Sequence, residues 1–277
     1  MTAGTHLRAA TVRQLHWSLT SLHAGLRAPA LAEADRSARE RALRTRYPIR
    51  YLRYWFARCL LDELHARLGR PLQVLEVGID RGQMLNFLSG APQPDGTFQL
   101  PPAIERWDGL DVQVDAETLK RYGYSELFEA NVEDWPDLGG RRYDAIVLLH
   151  ILEHLQAPEA VMAYLATLLC DQGAMIGGSP TMPDWLARLH ERRLRRQYAD
   201  RMHDVRLHKH LSVITPARVR RFALANDLDL DLLAGTFVMR ASGSPLENSA
   251  FWVRSNLLWG ALFPSLGGEV YFSLRKP

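Results

Sequence analysis

The stretch QVLEVGIDRGQMLNFL, residues 73–88, constrains the fold more than any other. The apolar run LQVLEV is too short for a helix and reads as a buried strand. It breaks at Gly78, meets a second glycine at Gly82, and runs on into QMLNFLS with helical character. A strand feeding a glycine turn and then a helix is the opening unit of an open α/β sheet, where ligands bind beyond the strand ends. The centre of the loop holds Asp80, where such loops usually carry glycine.

The same alternation continues along the chain. WDGLDV, ELFEANV, YDAIVLLHIL and AMIGGSP read as further strands, and LLAGTFVM and EVYFSL as a closing hairpin. Between them, DAETLKRYG, residues 157–173, residues 184–201 and TPARVRRFALAND read as helices. Pro158, and Thr215 with Pro216, mark helix starts, and Gly173 marks a stop. Residues 91–106 hold four prolines and read as a loop. The prediction is a Rossmann-like doubly wound α/β sheet of seven strands with a terminal antiparallel strand. Residues 1–70 read as a helical N-terminal extension forming a lid, with Leu52, Trp55, Phe56, Cys59, Leu60 and Leu64 near one face. Residues 71–277 form the main domain, with an aromatic-rich insertion at 241–268.

Composition narrows the class. With 47% hydrophobic and 23% charged residues, the chain reads as an ordinary globular protein. No apolar run reaches the roughly 18 residues of a membrane span, and no secretory leader is evident, so a cytoplasmic protein is expected. The two cysteines, Cys59 and Cys170, sit in apolar segments and read as reduced core residues. Net charge is +3 but unevenly placed: residues 36–58 carry eight arginines against Glu40, and residues 188–206 carry seven. Such stretches are solvated helix faces, or else meet an anionic partner or transiently a membrane surface. Neither matches a nucleic-acid module, so nucleic acid is not expected.

The residues at the strand ends carry the chemistry. Glu76, Gly78, Asp80 and Gly82 follow the first strand, and Asp111 ends the second, where an acid can accept bonds from ribose hydroxyls. Asn131, Val132 and Glu133 follow the third, and Leu149 and His150 end the fourth. These segments resemble class I S-adenosylmethionine-dependent methyltransferases, in particular the group similar to ubiquinone-biosynthesis methyltransferases (type 11 or 23). The likeness runs over about residues 72–240 and the last strand. It is most specific in LEHL, followed by a proline and a helix, and includes HKHLSVITPARVRRFALANDLDL. The resemblance implies S-adenosyl-L-methionine as cofactor. Glu76, Gly78 and Gly82 would lie in the loop holding its methionine moiety, with Asp80 as a departure that either caps the next helix or repels the carboxylate. Asp111 would hold the ribose, Asn131 and Val132 the adenine end, and Leu149 and His150 the sulfonium.

Methyl transfer to a hydroxyl also needs a route for a proton. His154, after the fourth strand, is the candidate catalytic base, or else orders its loop. His203, His208 and His210 with Asp204 fit no familiar ligand spacing, so no metal is expected; His208 and His210 are instead candidate substrate-binding residues. Trp252, with Phe251, Trp259 and Phe263, would wall an acceptor pocket, touch a membrane interface or pack in the core. The function expected is O-methylation of a small-molecule, lipid-linked or glycan acceptor. The rival is a non-catalytic binding protein of the same fold. A nicotinamide oxidoreductase is disfavoured because GIDRGQM lacks the glycine pattern that admits a pyrophosphate.

Overall fold

Strand β1 (Leu72–Val77) is buried along nearly its whole length because it is covered on both faces. In this computed structural model, which describes residues 13, 16, 17, 19, 46–89, 93–199, 210–236 and 244–277, β1 lies between two parallel neighbours. These are β2 (Ile104–Asp111) and β4 (Tyr143–Leu149). With β3 (Glu126–Glu129), β5 (Leu169–Pro180), β6 (Asp229–Thr236) and β7 (Glu269–Arg275), the sheet order is β3-β2-β1-β4-β5-β7-β6. Strand β7 is antiparallel to both β5 and β6. The predicted seven-stranded sheet with its antiparallel closing strand is therefore observed.

The chain moves outward through β2 and β3, then returns to the other side of β1 at β4. This reversal opens a crevice at the carboxyl edge. Val77 pairs with Leu110 on one side and Leu148 on the other, so the loops after β1, β2 and β4 emerge side by side. Alternate residues feed two cores. Val74, Ala145 and Ile176 face one; Leu75, Ile146 and Met175 face the other.

The first core is roofed by α1 (Leu52–Leu68), α2 (Gln83–Ser89) and α7 (Ala250–Leu262). Gly69 ends α1 in the left-handed conformation, as a glycine C-cap does. The expected single apolar face of α1 is wider than its spacing implied. Tyr54, Trp55, Phe56 and Ala57 are all buried, because the sheet covers one side and Trp17 packs edge-on against Trp55 and Phe56. Helix α7 comes so close to β6 that a Cβ on Gly260 would stand 1.8 Å from the Gly235 carbonyl oxygen. The insertion is thus a helix laid backbone to backbone on the sheet edge.

The short α3 (Ala116–Arg121) follows β2, capped by Asp115. The second core is covered by α4 (Pro158–Thr167) and α6 (Pro216–Ala225). Helix α4 stops at Thr167, short of the predicted Gly173, because Leu169 already pairs with Tyr143 of β4. A register shift follows, and Ala174 pairs next with Ala145. Other boundaries move too: β2 begins at Ile104, inside the predicted 91–106 loop, and β4 ends at Leu149, short of the end of YDAIVLLHIL. ELFEANV ends as a strand at Glu129, because Asn131 caps a short turn over Val132–Asp134. The basic helix, α5, spans Asp184–Gln197.

Candidate active site

Gly78 turns the chain out of β1 at φ 80°, and a Cβ there would stand 3.1 Å from Ile151 of the loop after β4. Gly82 has φ 67°, with Leu119 and Tyr122 within 2.8 Å of any added Cβ. Both positions need glycine for conformation and space. Asp80 is also left-handed, at φ 50°, a region that aspartate tolerates better than most side chains. Its backbone N–H donates to Asp111 Oδ2 at 3.0 Å, while its carboxylate is exposed. The loop is thereby pinned to the end of β2. Gly109 belongs to the same device: Ile79 packs where its Cβ would be.

Glu76 turns inward. Its Oε2 accepts from Trp107 Nε1 at 2.9 Å and from the Tyr124 hydroxyl at 2.6 Å. Burial raises its pKa to about 7 against the pull of those two bonds. Asn131 caps the turn after β3 through a bond from the Glu133 N–H at 3.1 Å, and Val132 is buried. Glu133 Oε1 accepts from the N–H groups of Gln156 and Ala157, just ahead of α4.

Arg53 and Gln83 were not evident from sequence. The signal was an arginine inside the apolar run IRYLRYWF. Arg53 Nη2 donates to the Tyr54 hydroxyl at 2.9 Å, which donates to Gln83 Oε1 at 3.1 Å. Arg53 Nε and Gln83 Nε2 are buried with no hydrogen-bond partner among the described residues. Burial opposes the Arg53 charge, but Tyr54, Tyr271 and Glu269 outweigh it and hold the guanidinium above its ordinary pKa. Two orphaned donors beside a glycine loop fit an incoming carboxylate. The residues present thus fit a ligand that carries a carboxylate and a ribose.

At the end of β4, Leu149 is half-buried opposite Gly178 of β5. His150 follows at φ 58°, its N–H donating to the Gly178 carbonyl at 2.7 Å. Its ring lies 3.6 Å from Glu153 and 3.7 Å from Glu269. Glu153 Oε2 accepts from the Ser179 hydroxyl at 2.9 Å, and burial raises this acid also to about 7. His154 meets His210 edge to face, with centroids 4.9 Å apart. These two sequence candidates are therefore brought together. His208, with His203 and Asp204, lies outside the described residues. Trp252 is partly buried against the first core, whereas Phe251 points to solvent. Among the described residues, no helix is long and apolar enough to cross a membrane.

Three comparisons bear on this arrangement. A family profile described as a methyltransferase domain matches residues 46–233. A comparison with curated protein sequences finds no match. Among solved structures, the chain is similar to the plantazolicin methyltransferase BamL, solved with a triazolic desmethylPZN analog and SAH. Identity is 13%, TM-score 0.50, and 99% of each chain is covered. It is also similar to the N-methyltransferase NodS from Bradyrhizobium japonicum, with 14% identity, TM-score 0.46, and 80% of this chain and 97% of that one covered. A third is the cyclopropane synthase MmaA2 from Mycobacterium tuberculosis, with 13% identity, TM-score 0.46, and coverage of 78% and 82%. The matched span holds β1 to β5, the glycine loop and the turn after β4. The chain belongs to the methyltransferase-domain family, as an enzyme that uses S-adenosylmethionine.

Proposed function

We propose that this enzyme methylates a hydroxyl oxygen, on a small-molecule, lipid-linked or glycan acceptor held at the end of β4. The observation that carries this reading is the placement of His154 and His210 against each other beside buried Glu153. An unprotonated amine or a thioether already offers a free lone pair, whereas a hydroxyl must lose its proton.

When bound, S-adenosylmethionine supplies a methyl group on a sulfonium. Arg53 and Gln83 would take its carboxylate, Gly78 and Gly82 would let the backbone approach, Asp111 would take the ribose, and Asn131 and Val132 would border the adenine. Leu149 and the His150 backbone lie at the edge where the two substrates meet, which places proximity and orientation at the centre of the rate. The acceptor hydroxyl would lose its proton on the side where His154 and His210 meet. His208 and Trp252 remain proposed acceptor contacts.

The exposed Trp185 and Leu189 on the arginine-rich α5 support an acceptor that is anionic or lipid-attached. We place the enzyme in the cytoplasm, with transient contact to a membrane surface.

Two measurements test the reading. Calorimetry with S-adenosylhomocysteine should show one site per chain. Incubation with isotopically methyl-labelled cofactor and cell extract should label a product whose methyl group is bonded to oxygen. Label on nitrogen or carbon would sink the oxygen assignment.

A further inference from the structure

The turn after β4 and the segment entering α6 are far apart in sequence, yet backbone bonds lock them together. The N–H groups of Leu211 and Ser212 donate to the Glu153 carbonyl at 2.7 and 3.0 Å. The Ser212 hydroxyl donates to the Leu155 carbonyl at 3.0 Å. These bonds hold His210 over the turn that carries Glu153 and His154. As a result, one carboxylate oxygen and one ring nitrogen from each histidine lie within 4.8 Å of one another.

The carboxylate is already oriented. The Ser179 hydroxyl donates to Glu153 Oε2, while buried Oε1 has no hydrogen-bond partner among the described residues and lies 3.6 Å from His150 Nδ1. A buried carboxylate oxygen in that state is costly unless something else binds it. In the sequence, His203, His208 and His210 with Asp204 gave no expectation of a metal; the fold instead unites His210 with two residues of the LEHL turn.

We propose that Glu153, His154 and His210 form a binding site for a divalent first-row transition ion. Two imidazoles and one carboxylate suit such ions and leave coordination positions open. Ser179 would serve as the outer partner that orients the carboxylate. The open positions would take acceptor oxygens, which makes an acceptor with two adjacent oxygens the best fit. The role, though not the site, rests on the oxygen-acceptor reading. An ion there lowers the hydroxyl pKa, so the proton passes to water and His154 acts as a ligand rather than as a base. The oxygen then gains the methyl carbon, the carbon–sulfur bond breaks, and its electron pair stays on sulfur.

The test uses the full-length protein, stripped with a chelator and titrated with cobalt(II). One equivalent should bind, with visible absorption bands from nitrogen and oxygen ligation. Glu153→Gln and His210→Ala should each weaken cobalt binding at least tenfold, while S-adenosylhomocysteine still binds and so reports an intact fold. His65→Ala, on α1, should leave cobalt affinity unchanged. Absence of cobalt binding by protein that binds S-adenosylhomocysteine overturns the site, as does unchanged affinity in His210→Ala. O-methylation that is indifferent to chelation overturns the role. Cobalt binding together with methylation at nitrogen supports the site and counts against the oxygen reading.

Discussion

Glu76 and Glu153 sit on opposite sides of the crevice, at the cofactor end of β1 and in the turn after β4. Burial drives both to a pKa of about 7, yet they differ in what satisfies them. Two donors share one oxygen of Glu76, an indole and a phenol from the sheet's own layer. Glu153 holds one serine, and its other oxygen has no hydrogen-bond partner among the described residues. A pKa shift alone does not separate a structural acid from a functional one. Satisfaction does: Glu76 fastens β1 to β2, while Glu153 keeps capacity for a ligand.

The largest expected effect follows from that contrast. Glu76→Ala orphans Trp107 Nε1 and the Tyr124 hydroxyl and leaves a cavity, at a cost of roughly 4 kcal/mol. Glu153→Ala loses one serine bond and removes a buried acid, so its cost stays within about 1 kcal/mol, while methyl transfer is lost. Urea unfolding of the two variants, with turnover assays on the second, measures both. Equal destabilisation would erase the distinction.

The shared shift makes stability depend on pH. Each carboxyl has an ordinary value of 4.5 and titrates near 7 in the folded chain. Between those values the folded state binds the extra proton, so stability falls as pH rises from about 4.5 to 7 and levels off above. The full loss is on the order of 3 kcal/mol per group. Tm measured from pH 5 to 8 should decline, Glu76→Gln and Glu153→Gln should each remove part of the slope, and the double variant should be nearly flat. A slope that survives both substitutions places the titration elsewhere.

Arg53 links the two sides, since its charge lowers the pKa of both acids. Replacing it with glutamine should weaken S-adenosylhomocysteine binding about thirtyfold, the worth of about 2 kcal/mol for a charge-assisted bond. Both carboxyl pKa values should rise further. Gln83→Ala should cost less than Arg53→Gln, because a neutral donor is lost rather than a cation. An Arg53→Gln chain that binds as tightly as the parent removes the carboxylate clamp.

Much of the sheet was legible in the sequence because its strands are buried on both faces and read as continuous apolar runs, as in LQVLEV and YDAIVLL. The LLCDQG boundary was not, since an apolar run fits the end of a helix as well as the start of a strand. Pairing with Tyr143 decides it. At the site, glycines and strand-end acids carry a local signature. Arg53, Glu269 and the union of Glu153 with His210 do not, because they converge only through the sheet order and the bonds that draw residues 211 and 212 onto the Glu153 carbonyl.

The smallest effect belongs to Asp80. Glycine there would relieve a left-handed backbone worth about 1 kcal/mol but would lose a similar amount to the freedom of the unfolded chain. Net stability should stay within about 0.5 kcal/mol. The carboxylate is exposed and its field is screened by salt, so Asp80→Gly should tighten S-adenosylhomocysteine binding by less than about threefold, and Asp80→Asn by about the same. Asp80→Val should do worse than both, because a β-branched residue resists the left-handed region. The Asp80 N–H bond to Asp111 survives all three changes, since it is made by backbone. A tenfold gain in Asp80→Gly that Asp80→Asn shares would mean the charge weakens the cofactor's hold. A gain confined to glycine would mean the backbone does.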